Sequence, residues 1–474
     1  MGNSVYIFLL LLCFATGCGI LVPEPESRDR KISVLPEEFA SGSTVSNHAA
    51  RVPLPLKWWS GFESSELNTL IGAAFSGNLD IAAAVTRLRQ AREQMIITAS
   101  AGRLSLDGSA EAGVDKTGRT ATGFSVDNSQ ESYRLGLSAS YILDIWGAVS
   151  SAEEASRLTY GATAEQLNAT SLLISGQIAN AWIRYKTVLR ERELILEQIE
   201  TSRKALELLK VRQRAGLSAA VDVYQQQSQV AALERLLPQI DEQRSDLRIQ
   251  INYLLGAPAS APLPVEIRSE PLPVARPLPE CGVPADLLEN RPDIRASWFS
   301  LLSRDWTVAA RKADRFPSLS LSGNLSFDDA EFSDVLKDWY VNLAAGIIVP
   351  ILDGGERAAR VRLAEAQADE AFVNYTDTVL QALLEVEQAL ARDKTRHSYL
   401  SAVEREFELN NRTFEESVNR YRKGLMEYLN VLTALSSRQS SERRALEARS
   451  SLVLNRISLY QSLGGGNIFL KDQL

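Results

Sequence analysis

Two long stretches without proline constrain this chain more than any other feature of its sequence. Each runs from one glycine to another glycine 69 positions later, Gly147–Gly216 and Gly355–Gly424. A continuous helix of that length would reach about 100 Å at about 1.5 Å per residue. Helices of globular domains are several-fold shorter on average, so a single compact core cannot accommodate these two. The chain is therefore expected to be mainly α-helical.

The two stretches belong to an internal repeat. One offset of 208 positions relates Gly147 to Gly355 and Gly216 to Gly424. The proline-rich segment 257–284 separates the copies and reads as an extended crossover linker, so we predict repeats at 58–256 and 285–463 and a tail at 464–474. The predicted helices are 147–214 and 222–255, the latter interrupted by Pro238, in the first repeat, and 355–422 and 428–463 in the second.

Small residues recur at coiled-coil spacing along the second long helix. Such a stripe lets neighbouring helices approach closely, which a plain coiled-coil scaffold would also require. The stripe consists of Ala364, Ala368, Ala371, Tyr375, Val379, Ala382, Val386 and Ala389.

Each long helix is preceded by two segments of alternating polarity, which are predicted to be strands. In 133–143, Tyr, Leu and Ala occupy the odd positions, whereas the even positions are mostly Arg, Gly and Ser. Strict alternation with one apolar face is typical of a half-buried strand. Two arrangements remain open, a sheet packed on helices or a sheet whose apolar face contacts lipid. The predicted strands are about 104–115, 132–144, 318–328 and 339–351.

Tyr133 and Tyr141 favour the lipid-facing arrangement. They lie eight positions apart on the apolar face, about 26 Å along a strand, which matches the apolar band of about 25 Å between aromatic girdles in outer-membrane barrels. In lipid, the two open edges of a four-stranded sheet would each cost several kcal/mol per unpaired group. Other copies of the chain must then close the sheet: two copies give eight strands, and three give twelve, enough for a pore.

The N-terminus is expected to carry an export signal. Residues 5–15 form an apolar stretch of signal-peptide length, too short to span a bilayer. The following Ala15-Thr16-Gly17-Cys18 resembles a bacterial lipobox, which implies a signal peptide at 1–17, a lipidated Cys18 retained at the outer membrane and a linker at 18–57; the alternative is an ordinary signal peptide. Since Cys281 would be the one remaining unmodified cysteine, no intrachain disulfide is expected.

Several function classes are excluded by composition and by missing motifs. With 51 basic and 59 acidic residues and a net charge of −8, the chain lacks the basic face that nucleic-acid binding requires. Past the N-terminus no uncharged apolar run approaches the ~20 residues of a spanning helix, which excludes a polytopic helical membrane protein. There is no HExxH, GxSxG, phosphate-loop or CxxC motif. We therefore expect neither enzyme activity, nor a cofactor, nor a metal site; Arg291, Asp293 and Arg295 are interpreted as a structural ion-pair network.

Four motifs resemble those of the TolC-like outer-membrane efflux factors, specifically the lipoprotein branch that serves resistance–nodulation–division pumps and includes nodulation-protein-T-like lipoproteins. They are LLENRPDI at 287–294, RFPSL at 315–319, PILDGG at 350–355 and RKGL at 422–425. The resemblance implies a mainly α fold with a transmembrane β-barrel, formed by a homotrimer. Each of the two tandem repeats would give two barrel strands and the long antiparallel helices of a periplasmic α-barrel.

The resemblance also implies the function and its residues. The chain would be the outer-membrane channel subunit of a tripartite efflux system, a passive duct exporting small molecules such as drugs. The turns at Gly216-Leu217 and Gly424-Leu425 would form the periplasmic tip that docks a membrane-fusion adaptor, and an inner-membrane resistance–nodulation–division pump would be the further partner.

A periplasmic gate is implied beside the second turn. Leu429 occupies the position of a closing leucine ring, and the frequently acidic positions carry Asn430 and Thr433, whereas Asp222 is acidic in the first repeat. Two alternatives remain for the chain as a whole: a type I protein-secretion outlet of the same fold, and a lipid-anchored periplasmic coiled-coil scaffold without a pore. The alternating strands favour a duct, because a scaffold has no use for an apolar strand face opposite serines.

Overall fold

The computed structural model describes residues 36, 39–40, 57–121, 124–273 and 284–465, and for residues 117–121 and 124–128 it describes the backbone alone. The predicted signal peptide, Cys18, most of the N-terminal linker, part of the crossover linker and nearly all of the C-terminal tail lie outside the described residues.

The described chain consists of one short 3-10 helix, nine α-helices and four strands. The 3-10 helix is Trp58–Phe62, and the α-helices are α1 Ser65–Gly77, α2 Leu79–Ser100, α3 Ala148–Arg214, α4 Ala220–Glu234, α5 Leu236–Leu254, α6 Asp286–Asn290, α7 Pro292–Ala313, α8 Glu356–Arg422 and α9 Tyr428–Ser462. The strands are β1 Ser105–Ala121, β2 Phe124–Leu143, β3 Ser318–Asp329 and β4 Trp339–Ile348.

The internal repeat is visible in the order and length of these elements. In each half a helix of 22 residues, α2 or α7, leads into an antiparallel strand pair. Each pair leads into a helix of 67 residues, α3 or α8. None of the described helices is by itself both long and apolar enough to cross a bilayer, although α1 and α2, bent by 47°, meet that criterion as a pair on length and composition alone.

The element boundaries differ from the sequence-based expectation where proline and glycine act locally. The returning helix of the first repeat begins at Ala220 and divides after Glu234, because the ring of Pro238 clashes with the carbonyl four residues earlier. Strand β4 ends at Ile348, shortly before Pro350, which has no N–H to continue a ladder. The β1–β2 hairpin is longer than expected and remains paired up to Ala121 and Phe124.

An aspartate lies just before the start of each long helix. The carboxylate of Asp144 accepts hydrogen bonds from the backbone N–H groups of Val149 and Ser150 at 3.1 and 2.7 Å. Asp353 does the same for Gly355 and Arg357 at 2.9 and 3.2 Å, and these backbone hydrogen bonds lower the pKa of its carboxyl group. Both side chains satisfy amide groups that an α-helix leaves unpaired at its start.

The chain divides into two compact units. The first contains Arg87–Thr163 and Ala296–Thr376, and so holds the sheet. Its helical core includes Val308, Ala364 and Ala368, of which the alanines belong to the predicted small-residue stripe. Of the eight stripe residues, all except Ala371 are buried.

Of the described residues, the second unit contains 57–86, 164–273, 284–295 and 377–465. Trp58 is fully buried in it, stacks on Tyr460 at 6.0 Å between ring centroids and donates its indole N–H to Ser175 Oγ at 3.1 Å. A second buried cluster packs the long helix against the returning helices and includes Leu206, Leu209, Val223, Val230, Tyr428 and Val431.

Candidate functional site

The four strands form one antiparallel sheet in the order β1-β2-β3-β4. Directly paired residues of antiparallel strands lie on the same face, so the register shows how the predicted faces combine. Leu135 pairs with Phe327, and Phe327 pairs with Trp339. At the other end of the sheet, Leu143 pairs with Leu319, which pairs with Ile347. One face is therefore apolar from strand to strand.

The opposite face is rich in serine. Ser138 pairs with Asp107 on one side and Asn324 on the other, and Asn324 pairs with Asn342. A charged row crosses the same face, because Arg134 pairs with Glu111 of β1 and Asp328 of β3. Its guanidinium Nε donates to Asp328 Oδ1 at 2.6 Å, and its Nη1 lies 3.5 Å from Glu111 Oε2. This face suits contact with water.

The sheet is open at both sides. Within the described residues, β1 pairs only with β2, and β4 pairs only with β3. Each outer strand therefore presents a row of backbone groups that a further strand can pair.

The predicted aromatic girdle residues occupy different positions on the apolar face. Tyr133 pairs with Asp329, its ring lies 5.5 Å from that of Phe332, and its hydroxyl donates to Glu131 Oε2 at 3.1 Å. Tyr141 pairs with Leu321 in the other half of the strand. The register adds Trp339, which is 68% exposed, to the end where Tyr133 lies. Trp339 and Phe332 were not predicted as girdle residues, because the register between strands cannot be read from the sequence. The one available signal was that aromatic residues lie in and next to the connection between β3 and β4.

Two motifs that carry the family resemblance meet beside the sheet. Trp146, which follows β2, stacks on Phe316 with ring centroids 5.0 Å apart and donates its indole N–H to the carbonyl of Pro317 at 2.8 Å. This contact joins the first repeat to the RFPSL segment of the second. The sequence showed both motifs but not their proximity.

The two predicted docking turns have the same geometry. Gly216 and Gly424 have φ angles of 70° and 72°, a left-handed conformation that glycine adopts without strain. The N–H groups of Leu217 and Leu425 donate to carbonyls five residues earlier at 2.9 and 3.0 Å, as in a Schellman motif. The side chains of both leucines are exposed.

The predicted gate residues lie in the first two turns of the two returning helices. Leu429 is 50% exposed, Asn430 is exposed, and the hydroxyl of Thr433 donates to the carbonyl of Leu429. Asp222 has a local structural contact, because its Oδ2 accepts hydrogen bonds from Ser218 Oγ at 2.8 Å and from the N–H of Ala219 at 3.2 Å. In this conformation Asp222 therefore caps α4.

A buried polar network beside the turns was not predicted. The hydroxyl of Tyr428 donates to Gln226 Oε1 at 2.7 Å, and Gln226 Nε2 donates to the carbonyl of Ser202 at 2.8 Å. Gln439 Nε2 reaches Ser202 Oγ at 3.3 Å, and Gln229 Nε2 reaches Gln439 Oε1 at 3.0 Å. Burial raises the pKa of Tyr428, and the nearby Tyr421 and Asp222 contribute to the shift. The only sequence signal was glutamine at helix positions that turn out to be buried.

The charged cluster near α7 makes structural contacts. Arg291 is buried and its guanidinium lies 2.6 Å from Asp293, 2.7 Å from Glu385 and 2.9 Å from the carbonyl of Ser462. Arg295 pairs with Glu165 of α3 instead. In the described part of the chain, no group of three or more His, Cys, Asp or Glu side chains is placed to hold a metal ion.

Comparison with known proteins gives a consistent result. The profile of the outer membrane efflux protein family matches residues 70–257 and 283–465. The chain is 28% identical to the pyoverdine export outer membrane protein OpmQ of Pseudomonas aeruginosa, with 86% of this chain and 87% of the relative covered. It is 27% identical to the cation efflux system protein CusC of Escherichia coli, with 97% and 99% covered, and 27% identical to the solvent efflux pump outer membrane protein SrpC of Pseudomonas putida, with 98% of each covered.

Solved structures show the same fold. The outer-membrane channel OprN superposes with a TM-score of 0.84 at 28% identity, with 94% of this chain and 99% of OprN covered. A structure of CusC superposes with a TM-score of 0.82 at 24% identity, with 94% and 100% covered. The chain therefore belongs to the outer membrane efflux protein family and has the TolC-like fold of outer-membrane channels.

Proposed function

We propose that three copies of this chain close their sheets into a twelve-stranded barrel that carries small molecules passively across the outer membrane. The observation that supports the proposal best is the sheet itself. It has one continuous apolar face and one serine-rich face, and among the described residues each of its two outer strands pairs on one side only. In lipid such edges must be closed, and each copy brings four strands to the closure.

Small molecules are the proposed cargo because the relatives are named for export of pyoverdine, cations and solvents. The duct has no energy source of its own in this proposal. An inner-membrane resistance–nodulation–division pump supplies the energy, and a membrane-fusion adaptor connects pump and duct.

The proposal also includes a lipid on Cys18 that anchors the N-terminus. Mass spectrometry of the mature protein tests it directly: an acylated Cys18 is expected, and an unmodified cysteine would contradict the proposed anchor.

The first experiment measures assembly and conduction. Purified protein in detergent should have the mass of a trimer by light scattering, and it should produce ion conductance in planar bilayers. A monomer without conductance would support the coiled-coil scaffold instead. Export of an unfolded protein from cells carrying the matching pump components would support the protein-secretion outlet.

The gate proposal assigns the narrowest point to three copies of Leu429, whose apolar side chains would exclude water from the closed aperture. Leu429→Ala should raise single-channel conductance several-fold, with Asn430→Ala and Thr433→Ala giving smaller changes. The matched control is Leu409→Ala, which removes a similarly exposed leucine from α8. Equal conductance in the Leu429 variant and the parent would remove this residue from the gate.

The docking proposal assigns the adaptor contact to the Gly216-Leu217 and Gly424-Leu425 turns. Their leucines are exposed and their left-handed glycines leave backbone uncovered for a partner. Leu217→Asp and Leu425→Asp should each weaken the binding of a purified membrane-fusion adaptor by about tenfold, with Leu409→Asp as the matched control. Unchanged binding in both turn variants would move the docking surface elsewhere.

A further inference from the structure

A cavity lies where the strands meet the helices. It has a volume of about 360 Å³ and belongs wholly to the first compact unit. The ends of β2, β3 and β4 line it, together with the last turn of α7 and the first turns of α3 and α8. Because β2 and β3 are the inner strands of the sheet, pairing of the outer strands with other copies does not fill this cavity.

The cavity begins at one boundary of the apolar sheet face. Tyr141 marks that boundary in the predicted girdle, and the next residue, Ile142, is the first that lines the cavity. Leu143 lines it as well and belongs to the apolar row that continues through Leu319 to Ile347. In the proposed barrel this is the depth at which lipid headgroups meet water. A headgroup in the cavity would thus place its acyl chains along this row.

Two aromatic rings at the cavity are partly exposed. Trp146 and Phe316 both line it, stack with ring centroids 5.0 Å apart, and are 40% and 52% exposed. The indole N–H is bonded to the carbonyl of Pro317 at 2.8 Å, which holds the ring in place. A tryptophan with a bonded N–H and an exposed ring is typical of the level at which acyl chains meet headgroups.

The charged side chains that line the cavity are balanced in number. They are the bases Arg311, Arg357 and Arg360 and the acids Asp144, Asp314 and Glu356. Both oxygens of Asp144 already accept backbone hydrogen bonds. Arg311 pairs with Asp314 at 3.0 Å, and Arg360 pairs with Glu356. These four side chains are all exposed, so water screens the two pairs and their members attract each other weakly. A ligand that carries both charges can therefore contact both partners.

The arginines also retain hydrogen-bond donors. A guanidinium has five N–H groups. Arg357 donates from Nε to the carbonyl of Asp314 at 3.0 Å and from Nη1 to Asp353 at 3.4 Å. Arg311 and Arg360 each use one nitrogen in their ion pairs. Several N–H groups thus remain for phosphate oxygens, which arginine binds through parallel hydrogen bonds.

We infer that this cavity binds the headgroup of a zwitterionic glycerophospholipid. The three arginines hold its phosphate, and Asp314 and Glu356 hold its ammonium group. The inference rests on the proposed function, because it requires the apolar sheet face to lie in lipid. The balanced charge of the cavity favours a headgroup without net charge over an anionic one. A primary ammonium group donates three N–H groups to carboxylates, whereas the trimethylammonium group of a choline headgroup donates none, so phosphatidylethanolamine fits best.

The test is native mass spectrometry of the delipidated trimer, titrated in detergent with phosphatidylethanolamine, phosphatidylcholine or phosphatidylglycerol of identical acyl chains. One ethanolamine lipid per copy should bind, with about tenfold higher affinity than either other lipid. Soluble glycerophosphoethanolamine should bind at least about a hundredfold more weakly, because it lacks the acyl chains. Equally tight binding of the soluble headgroup would assign the cavity to a water-soluble ligand and overturn the inference.

Two pairs of substitutions separate the two charges of the headgroup. Arg311→Gln with Arg360→Gln removes two phosphate partners and should weaken binding of the ethanolamine lipid by about tenfold. Asp314→Asn with Glu356→Gln removes the ammonium partners and should bring the affinities for the ethanolamine and choline lipids to within about twofold of each other.

The matched control is Arg304→Gln with Arg362→Gln. These arginines are exposed on the same two helices, α7 and α8, and lie outside the cavity lining, so the control should bind all three lipids like the parent. The trimeric mass and conductance of each variant are measured first. A conducting trimer that binds the three lipids equally, or whose control loses as much affinity as the Arg311 and Arg360 variant, would overturn the inference alone. A chain that neither forms a trimer nor conducts would contradict the proposed function, and the inference with it.

Discussion

The two repeats of the chain share their outgoing helix and differ in the helix that returns. Both outgoing helices have 67 residues and both end in a Schellman turn at a left-handed glycine. The return is divided after Glu234 in the first repeat, whereas α9 continues unbroken for 35 residues in the second. The turn geometry is therefore the same in both repeats, whereas the returning helix is divided in one repeat and continuous in the other.

The polar contacts between outgoing and returning helices differ as well. In the first repeat, Arg192 of α3 reaches Asp241 of α5 at 2.9 Å, with side chains 34% and 40% exposed. In the second repeat, Asp393 of α8 pairs with Arg456 of α9 at 2.7 Å, with side chains only 5% and 9% exposed. The same kind of ion pair is thus partly exposed to water in the first repeat and buried in the second.

The largest expected effect follows from this difference. Arg456→Ala leaves the carboxylate of Asp393 buried without its partner and should lower the free energy of unfolding by about 3–5 kcal/mol. Arg192→Ala breaks a pair that water already screens and should cost less than about 1 kcal/mol. Guanidinium unfolding of the two purified variants measures both values. Equal losses would show that burial does not distinguish the two ion pairs.

The next effect tests what the repeats share. Alanine at Gly216 or Gly424 would place a Cβ in open space, with no atom of the described residues within 4 Å apart from the adjacent ones in the chain, so any cost comes from the left-handed backbone alone. Each substitution should destabilise its turn by about 1–2 kcal/mol, and the two values should agree. Amide hydrogen exchange at the ends of α3 and α8 reports this local opening. A clear difference between the turns would mean that their surroundings, and not their backbone, determine their stability.

A smaller effect is expected at the starts of the returning helices. Asp222 accepts a hydrogen bond from the N–H of Ala219 at the start of α4, so Asp222→Ala should destabilise that end by about 1 kcal/mol. Glu427 precedes α9 without a capping side-chain hydrogen bond, and Glu427→Ala should change stability by less than about 0.5 kcal/mol. Hydrogen exchange in the first turns of α4 and α9 compares the two, and a larger loss for the Glu427 variant would reverse the comparison.

The smallest effect concerns pH. Burial raises the pKa of Glu165, although the charge of Arg295 and a hydrogen bond from Asn168 oppose the shift. A carboxyl group whose folded pKa is raised contributes stability below its usual pKa of 4.5, and that contribution is lost as pH rises through the folded value. The Glu165→Gln variant has no carboxyl group at this position to ionise, so it does not lose stability in this way. The melting temperature of the variant minus that of the parent should therefore increase as the pH rises from 4. Melting curves across this range test it, and a relative decrease with rising pH would contradict the assignment.

Much of the fold followed from local sequence rules. The absence of proline predicts the long helices, and alternation predicts the strands and the residues that share a face. The pairing of Trp339 with Phe327 could not be predicted, because register between β3 and β4 depends on contacts that no single strand specifies. The same holds for the buried glutamines, since Gln226 and Tyr428 are far apart in sequence and meet only when α4 and α9 pack together.

The candidate site was predictable to a similar extent. Gly216 and Gly424 were identified because glycine after a long helix is itself a turn signal. The capping role of Asp222 was not predicted, because a carboxylate in the first turn of a helix can either cap that helix or face a pore, and the sequence alone does not distinguish the two. Asp144 and Asp353 were missed for a different reason: their repeat positions are shifted by one residue relative to the flanking glycines.

The most direct test of the central claim is the environment of the two sheet faces in a membrane. Spin labels placed one at a time at positions 134–140 of β2, in a Cys281→Ser background, report collision with lipid-soluble oxygen or with a water-soluble nickel complex. The odd positions, beginning with Leu135, should be accessible to oxygen and the even positions, beginning with Arg134, to nickel, with a period of two. Loss of this alternation, or its inversion, would contradict a duct whose apolar face meets lipid and whose serine-rich face meets water.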